Sequence, residues 1–125
     1  MGLGNPRARV DVYKSLTYSL TVIFIETPIF TRQIKALVDD DAYAVFQRDL
    51  ADAPESGDLI EGSGGLRKIR MRLPGTGKRG GARVIYYYVV AASHIRLLFV
   101  YPKNVADDLT TDQRKQLTRI IETWR

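Results

Sequence analysis

At 125 residues the chain is long enough to close one hydrophobic core and too short for two. It is 45% hydrophobic and 26% charged, an ordinary globular composition. The absence of cysteine excludes disulfides, thiolate metal sites and a cysteine nucleophile together. The net charge of +5 is unevenly spread. Between Leu66 and Arg83 lie seven cations (Arg67, Lys68, Arg70, Arg72, Lys78, Arg79, Arg83) and no acid. Without them twelve cations face fourteen acids, and Asp39 to Glu61 holds eight acids against Arg48 alone. The positive field therefore comes from one eighteen-residue stretch, the electrostatic footprint of a polyanion site.

In chain order, residues 1–19 read as an N-terminal extension of uncertain order, and residues 20–125 as one domain. The apolar run Val22-Ile23-Phe24-Ile25 falls far short of the ~20 residues that span a bilayer. Tyr18, Ser19 and Thr21 break any signal-peptide core, so a cytoplasmic protein without membrane contact is expected. Leu20 to Ile25 predicts a strand. Thr27-Pro28 then opens a helix with Phe30, Ile34, Leu37 and Val38 at helical spacing. Asp39-Asp40-Asp41 caps a second helix that carries Tyr43, Phe46 and Leu50 on its apolar face, and Pro54 ends it.

Leu66 to Leu73, Arg83 to Val90 and Ile95 to Tyr101 read as strands, with Pro74 to Gly81 a flexible loop between the first two. A Thr110-x-x-Gln113 capping box opens a last helix with Leu117, Ile120, Ile121 and Trp124 on one face. The order β-α-α-β-β-β-α implies an α+β domain in which an antiparallel sheet carries helices.

The chemistry concentrates on the strand after Leu66. Alternation sends Ile69, Met71 and Leu73 to one face and Lys68, Arg70 and Arg72 to the other. Same-face residues are ~6.6–6.8 Å apart, close to the pitch of phosphates on an extended nucleic-acid strand. A row of like charges repels itself unless a polyanion joins it. The glycine-rich loop does not match a phosphate-binding loop, because Arg72 and Arg79 stand where Gly and Ser or Thr are required. It reads instead as a mobile basic loop, with Lys78 and Arg79 joining Arg67 and Arg72 as RNA-binding candidates. Arg83 lies at the mouth of the following strand, and Tyr86 and Tyr87 offer rings on which bases could stack. Tyr101 and Lys103 would close the site from the next strand.

What is missing narrows the mechanism. With His94 as the lone histidine, a two-histidine ribonuclease is impossible. No carboxylate pair or cluster has metal-site spacing, so neither metal nor cofactor is expected. Cleavage would rest on Lys, Arg and Tyr. Guanidinium groups stabilise a pentacoordinate phosphate, and a lysine crowded by cations can approach general-base duty. Such machinery suits RNA, whose 2′-OH is a built-in nucleophile.

Three blocks, Gly62-Ser63-Gly64-Gly65-Leu66-Arg67-Lys68-Ile69-Arg70, Gly77-Lys78-Arg79-Gly80-Gly81-Ala82-Arg83-Val84-Ile85-Tyr86-Tyr87, and Tyr101-Pro102-Lys103-Asn104 with Asp108-Leu109 and Gln113-Arg114, together resemble the HigB branch of the RelE/ParE toxin superfamily. The resemblance begins near Phe24 and covers about four-fifths of the chain. It implies a RelE-like fold, a twisted antiparallel β-sheet with two N-terminal helices packed on it and a C-terminal helix. It further implies the toxin of a type II toxin–antitoxin system, a ribosome-dependent, metal-independent mRNA endoribonuclease that blocks translation through 2′-OH attack. Its partners would be a HigA-like helix-turn-helix antitoxin, the ribosome and mRNA, with operator DNA reached only through the antitoxin. By position, Lys68 and Arg70 match the family's basic strand residues, Arg83 its phosphate-stabilising arginine, and Lys103 lies near a further cation. The chain departs from the pattern in having Pro102 where glycine is usual and no tyrosine near its C-terminus. Tyr101 and Lys68 are the alternatives for proton transfer. A superfamily member that does not cleave RNA, such as a gyrase inhibitor or a degenerate toxin acting with its antitoxin on DNA, is the alternative function.

Overall fold

The computed structural model of the chain describes residues 13–14, 21–75, 81–103 and 109–123. Strand-favouring Val and Ile side chains form β2 (Thr21–Glu26), against which the two-residue β1 (Tyr13–Lys14) pairs antiparallel. Two residues of the N-terminal extension thus belong to the sheet. Helix α1 (Pro28–Leu37) starts as its sequence dictates: the Thr27 side chain accepts from Phe30 N, and Pro28 occupies the first turn. Asp39 caps α2 (Asp40–Asp52) by accepting from Ala42 N at 2.8 Å, so this acid holds a helix end. The chain then crosses to the far edge of the sheet as β3 (Asp58–Leu59) and returns inward through β4 (Arg67–Met71), β5 (Ala82–Val89) and β6 (His94–Pro102). A single 3-10 turn (Val90–Ala92) links β5 to β6, and α3 (Thr111–Glu122) follows with both halves of its capping box formed.

The strands run in the order β1-β2-β6-β5-β4-β3. The expected antiparallel sheet is corrected here: β2 pairs β6 in parallel, Ile23 with His94 through Glu26 with Leu97, and the sheet is mixed. The α1–α2 connection is long enough to carry the chain over one face and back, which a hairpin cannot do. It sets β4 parallel to β2, and two antiparallel steps then bring β6 in beside β2 with the same sense.

Each face of the sheet has its own core. On one, Phe30 and Ile34 of α1 and Tyr43, Phe46 and Leu50 of α2 cover Phe24, Met71, Val84, Tyr86 and Leu97. On the other, Ile121 of α3 packs with Leu66, Ile85, Leu98 and Tyr101. Beneath the helix hairpin the buried Glu26 carboxylate accepts hydrogen bonds from Thr31 and Tyr43, each at 2.6 Å. These two donors offset the desolvation of a buried acid. No helix among the described residues is long and apolar enough to cross a membrane.

A register shift between Ile85 and Tyr86 leaves Leu98 as an extra residue of β6. This bulge resets the alternation, so that Ile95, Leu97 and Val100 face the helix hairpin while Leu98 and Tyr101 face α3.

Candidate functional site

The register of β4, β5 and β6 builds the site. Arg70 opposes Arg83, and Arg83 opposes Tyr101, which makes one row across three strands. Directly opposed side chains in an antiparallel pair have Cβ atoms ~4.5–5.5 Å apart. Arg70 and Arg83 thus stand side by side, an arrangement suited to holding an anion between them. Arg70 is exposed and Arg83 half-buried, its Nη1 making a long 3.4 Å contact to Ala82 O. Tyr101 forms the inner wall: only 6% exposed, it packs in the α3-side core with its ring 5.8 Å from that of Phe99. Lys68 lies two residues along β4 from Arg70 and on the same face, with Ile85 opposite it on β5. Its partner on β3 is Asp58, so Lys68 is not surrounded by cations alone, as the sequence reading assumed.

Gly81 sets the mouth of the row. A Cβ at this position would meet Met71 O at 2.5 Å, so only glycine lets the start of β5 lie this close to the end of β4. Lys103 N donates to Gly81 O at 2.9 Å, which places Lys103 beside the mouth, two residues past Tyr101. Arg72 follows β4 and is exposed. Lys78 and Arg79 lie outside the described residues.

Three expected RNA contacts are placed differently. Tyr86 is fully buried on the helix-hairpin face, where its hydroxyl accepts from Gly57 N at 2.9 Å and donates to Pro54 O at 2.7 Å. Burial raises its phenol above the usual 10.0, and no base can stack on a ring with no exposed face. Arg67 is tied down as well: its Nη1 donates to Glu55 O and Gly57 O, and it pairs with Tyr86, so it clamps the connection after α2. Tyr87 keeps to the α3 side but lies close over Gly65, where a Cβ would sit 2.8 Å from its ring, and it packs against the core there. Tyr86 and Tyr87 lie on opposite faces of the sheet, and what the sequence does not reveal is that both rings are already occupied by the connection from Pro54 to Gly65.

At the far end of the same face Tyr87 opposes Arg96 and Val89 opposes His94. Burial, and secondarily Arg96, holds His94 below its ordinary 6.5, and its buried Nδ1 has no hydrogen-bond partner among the described residues. Among the described residues no group of three or more His, Asp or Glu side chains is placed to hold a metal ion. The row brings together two guanidinium groups and a neighbouring ammonium against the buried Tyr101 ring, and these cations are able to hold a phosphate and stabilise added charge on it. No protein-family model matches the chain.

Proposed function

We propose that the chain is the toxin of a type II toxin–antitoxin pair and acts as a ribosome-dependent mRNA endoribonuclease of the RelE/HigB kind. The observation that carries this reading is the Arg70–Arg83–Tyr101 row, with Lys68 one step along the same face. Arg83 and Arg70 grip the scissile phosphate and stabilise the pentacoordinate transition state. The 2′-OH attacks phosphorus, its proton is taken up, and the 5′ oxygen leaves with a proton, giving a 2′,3′-cyclic phosphate. Lys68 is the group assigned to proton transfer, because the ring of Tyr101 is buried and better suited to positioning. Among the described residues nothing beside the row bends RNA into line for attack. The ribosome supplies that geometry, and the antitoxin, a helix-turn-helix protein, holds the toxin inactive and carries it to operator DNA.

Induced expression followed by mapping of 5′ ends on cellular messages tests the reading. Discrete in-frame cuts are expected with the native chain and none with Arg83→Ala. Growth arrest without new 5′ ends would show a superfamily member that does not cleave RNA.

A further inference from the structure

Away from the row, α3 and the turn before β4 enclose a second cleft of about 220 Å³. Arg114, Lys115 and Arg119 line it with Gly62, Thr118 and one acid, Glu122. Lys115 and Arg119 are exposed and stand one helical turn apart, a spacing at which like charges repel. The Thr118 hydroxyl is committed to Arg114 O at 2.8 Å, so the cations dominate the cleft. Gly62, at φ +72, leaves the opposite wall open: a Cβ there would meet nothing within 4 Å. The inner side of α3 packs through Ile121 on Leu66, the residue that leads into β4. From Leu66 the strand passes Lys68 and reaches Arg70, a distance of roughly 13 Å.

We infer that this cleft binds a second backbone phosphate of the same single-stranded RNA that the Arg70–Arg83 row holds. The inference rests on the proposed function and extends its footprint by two or more nucleotides along β4. Cations on the flank of α3 and cations on β4 and β5, both on the α3 side of the sheet, fit a chain of successive negative charges better than a compact anion. Because Lys115 and Arg119 point to solvent, replacing them leaves both cores intact.

The test uses the full chain and a fluorescent 12-nucleotide single-stranded RNA. Wild type should bind one oligonucleotide per chain. K115A/R119A should bind about tenfold more weakly, with the salt slope reduced by ~0.7, since each phosphate neutralised on a single strand contributes about 0.7. K115R/R119K should bind as wild type, and all variants should melt at one temperature. If K115A/R119A binds as wild type while R70A/R83A is weakened, the cleft inference fails and the proposed function stands. Two oligonucleotides per wild-type chain would also overturn it, because the cleft would then be a separate site. If R70A/R83A binds as wild type, the assignment of the row itself fails.

Discussion

The two faces of β4 divide its five residues between them and serve opposite ends. Toward the helix hairpin, Met71 is 2% exposed and Ile69 packs against a core supplied by five other strands and helices. Toward α3, Lys68 and Arg70 stand beside Arg83 on a face where the core is smaller and stops at Tyr101. One face gains by excluding water. The other gathers cations on a face where an anion could join them. The contrast separates scaffold from site within a single strand, and it can be broken in four ways.

The largest effect belongs to the scaffold face. Met71→Ala should lose about 2–5 kcal/mol of stability, because the truncation leaves a cavity under α2. Denaturant unfolding reads this directly, and a loss below 1 kcal/mol would mean the two faces are energetically alike.

On the site face, Arg83→Ala should leave the melting temperature unchanged or slightly raised. Cleavage on programmed ribosomes should fall ~10²–10³-fold, about 2.7–4 kcal/mol, by analogy with the loss of one oxyanion donor. An Arg83→Ala protein that is fully toxic, or inactive only because it unfolds, removes Arg83 from the site.

Tyr86→Phe sharpens the comparison, since Tyr86 is an aromatic on the scaffold face that the sequence reading assigned to RNA. It should destabilise by about 1–3 kcal/mol, because Gly57 N and Pro54 O lose their partner, and should leave RNA affinity unchanged. Weaker RNA binding by a variant that melts normally would return Tyr86 to the site.

The smallest effect is at the far end of the α3 face. Because burial lowers the folded pKa of His94 beneath 6.5, the unfolded chain binds this proton at a higher pH. Stability is then complete above that value and declines as the pH falls below it. Urea midpoints for wild type should drop more between pH 7.5 and 5.5 than those of His94→Gln. An equal or smaller drop contradicts the assignment.

Both helix starts, the capping box of α3, the alternation of β4 and the local basic stretch were legible in the sequence. Each depends on neighbours within about four residues: Thr27 with Phe30, Asp39 with Ala42, Thr110 with Gln113, Lys68 with Arg70. Local hydrogen bonds and side-chain period are properties of a short segment, and a short segment carries them whatever lies around it. Strand neighbours are not of this kind. The parallel pairing of β2 with β6 joins residues about seventy positions apart, and no pattern within either strand specifies it. The bulge at Leu98 is likewise a two-strand property, and simple alternation would have put Tyr101 on the same face as Ile95 and Leu97. Only the shift brings Tyr101 beside Arg83 on the α3 face. The same holds for Tyr86 and Arg67, whose partners Pro54, Glu55 and Gly57 come from the connection after α2. Residue types and their spacing determined which charges lie together along one strand. Tertiary packing decided which aromatic rings remain beside them, because burial is set by what the rest of the chain lays over a residue.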